Sequence, residues 1–250
     1  MGVSSGKITD KKLGSAKVTV DILPSGRCIP GGSMSPTYIT IHDTGNDAPA
    51  KNQHNYLKNN NRNGSNAKAS WHFSVDDTEI IQAVATNKKA WHAGNATGNG
   101  KSIGIEISQR GNGAKQKQAY LNAIELVRVL MKAYNIPINR VVRHKDWTGK
   151  DCPYNMNHKK FGYDWSWFKK ELSAPSKREE VFDMDKVVLY HGDADVFPAI
   201  IVAQKHKCPM MKESDFKISG IKSKEVIQIG GNPEDTNRFV SAKNAVSKYL

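Results

Sequence analysis

The chain has 250 residues, 38% of them hydrophobic, and a formal net charge of +13. That apolar content supports a sizeable core and argues against a disordered chain, and no apolar run approaches the ~20 residues of a membrane span. Three cysteines, Cys28, Cys152 and Cys208, are too few and too scattered for a disulfide framework, which points to synthesis in a reducing cytoplasm. In chain order, a polar, glycine-rich start without a secretory signal leads to strands expected at 17–23, 38–42, 70–75, 103–108 and 140–143. A helix is expected at 117–134, where Leu121, Ile124, Val127 and Met131 fall at helical spacing, and it should stop before Pro137. An earlier helix is read at 49–59, and the Asn/Gly-rich stretches 59–66, 94–100 and 111–113 read as loops. Strands mixed with helices argue for an α/β layer fold.

Ser173-Ala174-Pro175-Ser176-Lys177-Arg178-Glu179-Glu180 reads as a linker of small residues, a proline and a charge run. It divides the chain into 1–172, a linker at 173–183, and 184–250. The last part reads strand (186–190), helix (195–205), strand (225–229, ending in Gly230-Gly231) and helix (237–250), a small α/β module with a short parallel sheet. So small a unit buries proportionally little surface, which favours leaning on a second copy. The positive charge is one-sided: residues 1–177 hold 26 Lys+Arg against 13 Asp+Glu, while residues 178–250 hold 11 of each. A basic surface favours polyanions, among them nucleic acid and an anionic cell wall. Nucleic acid is the weaker candidate, because neither zinc-finger spacing nor a basic amphipathic helix is present.

The chemistry concentrates in Arg143-His144-Lys145-Asp146-Trp147-Thr148-Gly149-Lys150-Asp151-Cys152-Pro153. With His42, at the end of the run Tyr38-Ile39-Thr40-Ile41-His42, the chain offers two imidazoles and a thiolate. Three such ligands suit a tetrahedral zinc whose fourth position is left to water, the open arrangement of a site that does chemistry. Strand parity adds a partner. The isoleucines of Ile103-Gly104-Ile105-Glu106-Ile107-Ser108 share one face, and Gly104, Glu106 and Ser108 share the other. If the two strands share a sheet, Glu106 and His42 can share its functional face. Trp165, Trp167 and Phe168 are expected to pack a closing helix on the core, with Cys28 inert and Cys208 buried in the small module. His54, His158, His191 and His206 carry no motif.

Five segments occur in order: Thr40-Ile41-His42-Asp43-Thr44, Ser70-Trp71-His72-Phe73-Ser74-Val75, Ala90-Trp91-His92-Ala93-Gly94, Ile103-Gly104-Ile105-Glu106-Ile107 and His144…Lys150-Asp151-Cys152-Pro153. Together, over about residues 17–168, they resemble the type 2 N-acetylmuramoyl-L-alanine amidases, which include phage endolysins and are related to the peptidoglycan recognition proteins. The resemblance implies a mixed central sheet flanked by helices. It also implies zinc on His42, His144 and Cys152, Glu106 as the catalytic glutamate, and Lys150 as the lysine that stabilises developing negative charge. Trp71 stands where many members carry a tyrosine, so it is assigned with His72, Trp91 and His92 to the substrate groove. The implied reaction is zinc-dependent hydrolysis of the amide joining N-acetylmuramic acid to L-alanine of the stem peptide, lysing Gram-positive cells, clostridia among them. Residues 178–250 more loosely resemble clostridial cell-wall-binding repeats, through Asp193-Ala194-Asp195, Cys208-Pro209 and Ile229-Gly230-Gly231. Such repeats usually occur in tandem; a lone copy could recover its missing neighbours by oligomerising and would bind a secondary wall glycan.

Two rival readings stay open, a non-catalytic peptidoglycan-binding protein and a bacterial autolysin or remodelling amidase. A lytic enzyme without a signal peptide would be made in a host cytoplasm and act on the wall after release, with no insertion into membrane. Met184 follows the linker, and the codons of Arg178-Glu179-Glu180 could spell a purine-rich ribosome-binding sequence. An internal start there would yield free binding modules that co-assemble with the full chain; a chance methionine is the plainer alternative.

Overall fold

The computed structural model of the chain describes residues 2–63, 68–175, 183–233 and 237–250. The chain forms two compact units, 1–178 and 179–250. The centre of the predicted linker, 176–182, lies outside the described residues.

Unit 1 opens with the hairpin of β1 (Val3–Ser4) and β2 (Lys7–Ile8). There follow β3 (Lys12–Leu13), β4 (Ala16–Val20), β5 (Tyr38–Asp43), α1 (Ala50–Asn63), β6 (Phe73–Val75), β7 (Glu79–Gln82), α2 (Ala96–Lys101) and β8 (Ser102–Ile107). Next come α3 (Gly113–Tyr134), a 3-10 turn at Ile138–Arg140, β9 (Val141–Arg143), α4 (Lys145–Thr148), α5 (Tyr154–Asn157) and α6 (Trp165–Ser173). Seven strands form one sheet in the order β3-β4-β7-β6-β8-β5-β9. The sheet is mixed: β3/β4 and β6/β7 are antiparallel, and the other neighbours are parallel. Strands β6, β8, β5 and β9 therefore end on the same edge, where parallel sheets commonly place their ligands.

Alternation explains what the sheet buries. Ile39, Ile41, Ile103, Ile105 and Ile107 enter one apolar core with Tyr120, Ile124 and Val127 of α3 and Phe168 and Leu172 of α6. Trp165 and Trp167 are partly buried against it. Asn112 caps α3 by accepting the Lys115 N–H at 2.9 Å, and the helix ends at Asn135 in the left-handed conformation, φ 52°, which asparagine tolerates better than most residues. Leu57 of α1 packs in a separate cluster with Leu23, Ile29, Trp71 and Val84.

Several expectations need correcting. Helix α1 runs on to Asn63, so 59–63 is helical; buried Asn61 is used tertiarily, its Oδ1 accepting the N–H of Cys28 and Ile29 and its Nδ2 donating to Pro24 O. Residues 64–66 of that expected loop lie outside the described residues. The stretch 94–100 contains α2, hidden by its glycines. Asn95 caps it at 2.7 Å from Gly98 N, and a Cβ on Gly98 would stand 2.5 Å from Ala93 Cβ, so packing excludes a better helix former there. Helix α3 begins at Gly113, Arg140 belongs to a turn, the strand expected at 70–75 starts at Phe73, and β7 was not anticipated.

Unit 2 comprises β10 (Met184–Tyr190), a 3-10 turn at Asp193–Asp195, α7 (Val196–His206), β11 (Met210–Lys212), α8 (Glu213–Ser219), β12 (Ser223–Ile229) and α9 (Arg238–Tyr249). The strands form a parallel sheet in the order β11-β10-β12. Val188, Ala199, Val202, Ile227, Ile229 and Ala245 make its core. Asp195 joins the start of α7 to α9, accepting the Ser241 hydroxyl at 2.6 Å and Gly192 N–H at 3.0 Å. Gly230, at φ +75°, leaves room for that carboxylate: a Cβ would lie 2.1 Å from Asp195 Oδ2. The pattern read from sequence missed β11 and α8, each too short to show a period. Cys208 is half-buried rather than buried. Met184 is the first residue of β10, paired with Ser223, rather than a residue ahead of the strand.

Candidate active site

At the carboxyl edge of unit 1, the parallel register places His42 opposite Glu106 and Ile41 opposite Arg143. Partners in parallel register point to one face, so the His42 ring and the Glu106 carboxylate meet, Nδ1 to Oε1, at 3.9 Å. His144 follows β9 directly, its backbone N–H donating to Ile41 O at 3.3 Å. Cys152 is returned to the same place by its carbonyl, which accepts Lys145 N–H at 2.9 Å. The Asp43 carboxylate also holds this loop, accepting Asn155 N–H at 2.6 Å. One donor atom from each of His42, His144 and Cys152 lies within 4.8 Å of the others, and Cys152 Sγ is 3.7 Å from His42 Nδ1.

An open cavity of about 410 Å³ lies over this cluster. Glu106 and Lys150 face it, as do Trp71, Trp91 and His92. The Trp71 indole N–H donates to Ser74 Oγ at 2.8 Å, which fixes the ring as part of the wall. His72 requires correction. It is fully buried behind the wall, with Nε2 bonded to Lys88 O at 2.9 Å and Nδ1 accepting Gly104 N–H at 2.9 Å. Both nitrogens are engaged within the protein, so it supports the sheet instead of meeting substrate. Asp43 and Lys68 also line the cavity and were not picked out from sequence. Strand parity assigns Asp43 to the face opposite His42, and Lys68 sits in no recognisable pattern.

Burial and neighbouring charge set the protonation of the cluster. Burial first, then His92, His144 and Lys150, holds His42 well below its ordinary value. Burial and then Lys150 lower His144. Both imidazoles are therefore neutral near pH 7, with a lone pair to offer. Burial pushes the Cys152 thiol up to about 12, with Glu106 adding to the effect. Burial, then Asp43, raises Glu106 to about 8 against the pull of Lys150. Such a donor set suits a cation. Two neutral nitrogens and a sulfur converge, and the sulfur and the adjacent carboxyl carry protons that a positive ion would expel. The residues fit zinc, which takes nitrogen and sulfur ligands in groups of three at catalytic sites.

Residues 32–155 match the family model described as N-acetylmuramoyl-L-alanine amidase. The solved structure of PlyL is 37% identical and superposes with a TM-score of 0.57, covering 99% of that chain and 64% of this one. The chain belongs to the N-acetylmuramoyl-L-alanine amidase family. The solved catalytic domain of XlyA is 39% identical, with a TM-score of 0.56 over all of that chain and 63% of this one. Among curated proteins, the N-acetylmuramoyl-L-alanine amidase CwlH of Bacillus subtilis (strain 168) is 48% identical over 133 residues, 51% of each chain. The chain thus spans about half the length of the curated relatives it matches. The amidase stretch carries the metal-type cluster, Glu106, Lys150 and the cavity walls. Unit 2 lies beyond its end at residue 155.

Proposed function

We propose that the chain is a zinc-dependent peptidoglycan hydrolase of the endolysin type, cleaving the amide between N-acetylmuramic acid and L-alanine. The observation that carries this is the convergence of His42, His144 and Cys152 beside Glu106 in an open cavity. These three residues would hold the zinc; when bound, it lowers the pKa of water and so supplies a nucleophile at neutral pH. Glu106 takes the proton of the attacking water and passes it to the leaving amine. Without a cation that carboxyl is held protonated near pH 7; a positive ion beside it favours the ionised form, so the base is available only in the loaded site. Lys150, facing the cavity, offsets negative charge developing on the carbonyl oxygen. Trp71 and Trp91 form apolar walls for the glycopeptide.

Residues 1–172 form the catalytic domain, 173–183 the linker, and 184–250 a module that binds a secondary wall glycan and oligomerises. The targets are Gram-positive cells, clostridia among them. Among the described residues no helix is long and apolar enough to cross a membrane.

The test is digestion of purified peptidoglycan by zinc-loaded wild type and Glu106→Gln, with products identified by mass spectrometry. Wild type should release stem peptides beginning with L-alanine. Loss of the acid–base group should slow the variant by about 10²–10⁴-fold without loss of zinc. Wild-type turnover by the variant removes Glu106 from the mechanism. Binding without products by zinc-loaded wild type favours a recognition protein instead.

A further inference from the structure

A file of hydrogen bonds runs from the edge of β8 into the metal-type cluster. His92 Nε2 lies 3.1 Å from the carbonyl oxygen of Ser102. A carbonyl only accepts, so this nitrogen carries the hydrogen. His92 Nδ1 lies 3.0 Å from His42 Nε2. In a neutral ring whose hydrogen is on Nε2, Nδ1 only accepts. His92 is buried, and among the described residues neither of its ring nitrogens is hydrogen-bonded to a carboxylate, so the ring is neutral. His42 must therefore donate from Nε2, which leaves its Nδ1 bare, and Nδ1 is the atom that faces Cys152 Sγ and Glu106.

Three features hold His92 in this role. Asn99 Oδ1 accepts the backbone N–H of His92 and of Ala93, at 2.9 and 2.7 Å. The Ser102 carbonyl anchors the far side of the ring. The ring itself lies against Gly104, where a Cβ would stand 2.6 Å from His92 Cγ and 2.7 Å from Nδ1. Gly104 sits within β8, and no left-handed backbone angle calls for glycine there; it is needed for space. His72 secures that backbone from behind through its bond to Gly104 N–H.

We propose that His92, seated on Gly104, is a positioning residue that fixes the His42 tautomer so that Nδ1 is presented as a ligand. The inference rests on the metal reading of the site and assigns a separate duty to residues outside the ligand set. Hydrogen bonds of this kind to a ligating histidine typically matter about 10–100-fold in metal affinity.

Two measurements on the full chain test it. Nitrogen-15 correlation spectra of the imidazoles in metal-free wild type, at neutral pH, should show His42 and His92 both protonated at Nε2. This needs no variant, so a folding failure cannot obscure it. Zinc affinity is then read by competition with a chromophoric chelator. His92→Phe keeps the ring bulk without the acceptor, and Gly104→Ala displaces the ring; each should weaken zinc by about 10–100-fold. His92→Asn returns an acceptor oxygen near the place of Nδ1 and should recover most of the loss. A His42 hydrogen on Nδ1, or wild-type zinc affinity in His92→Phe, overturns the proposal. Wild type that has the expected tautomers yet takes up no zinc supports the His42–His92 pair and overturns the metal reading instead.

Discussion

Zinc uptake should expel protons, and the burial of two groups sets how many. In the metal-free chain the Cys152 thiol is raised from its ordinary 9.0 to about 12, while a metal requires the thiolate. At about 1.4 kcal/mol per factor of ten, that rise opposes binding by about 4 kcal/mol, or about a thousandfold in affinity. Zinc gains about 10–16 kcal/mol in zinc-finger peptides near pH 7, so a site of this kind would still load. Glu106, raised from 4.5 to about 8, is protonated at pH 7 and should ionise when a cation arrives. His42 and His144, both lowered, are already neutral and release nothing. Both active groups lose protons on binding, so affinity rises with pH. The side chains should release about two protons near pH 7 and about one near pH 9.5, where Glu106 is already ionised and Cys152 is not, with up to about one more from the water that the ion acidifies. Calorimetric titration with zinc in buffers of different ionisation enthalpy counts the protons directly. Cys152→Ser should remove one proton from the count and most of the affinity. Wild type that binds zinc near pH 9.5 without releasing a proton forms no thiolate, and Cys152 is then not a ligand.

Two substitutions test the scaffold beneath the site and the module beyond it. Phe168→Ala empties a fully buried position between α6 and the sheet core and should cost unit 1 about 3–5 kcal/mol, read from its denaturant midpoint; a loss under about 1 kcal/mol would mean that α6 is not held as described. Gly230→Ala combines a left-handed backbone with a Cβ 2.1 Å from Asp195 Oδ2. Beyond about 1–2 kcal/mol of backbone strain, it must displace the carboxylate that joins α7 to α9. Amide exchange should quicken along β10 and β12 and stay unchanged in unit 1; unchanged exchange in β10 and β12 refutes the role given to Asp195.

What was legible in the sequence followed strong local periodicity. The alternating isoleucines of β5 and β8 announce two strands buried on one face, and the same parity places His42 and Glu106 together on the other. Helix α3 announces itself through Leu121, Ile124 and Val127. What escaped was decided by contacts between distant segments. Asp43 is the last residue of β5 and spends its carboxylate on the loop carrying Cys152, which strand parity does not foresee. His72 stands beside Trp71 in one motif, yet one is sealed behind Gly104 and the other lines the cavity. Gly98 and Gly100 disguise α2 because tight packing, not propensity, chooses glycine at position 98. In unit 2, β11 and α8 are too brief to repeat any pattern.

His42 and Cys152 lie 110 residues apart in the chain. An ion gripping both would do for unit 1 what a long-range crosslink does, since the span encloses α1, β6, β7, β8 and α3. In polymer terms it removes configurations from the unfolded chain; a covalent bond closing a loop of about 100 residues is worth about 4.7 kcal/mol in the chain-entropy account, and a coordinate link acts likewise while it holds. On the zinc reading, a centre that readied a water for attack would thus double as a clasp, so that a molecule stripped of its ion in a chelating medium would lose its grip on its own shape together with its reactivity.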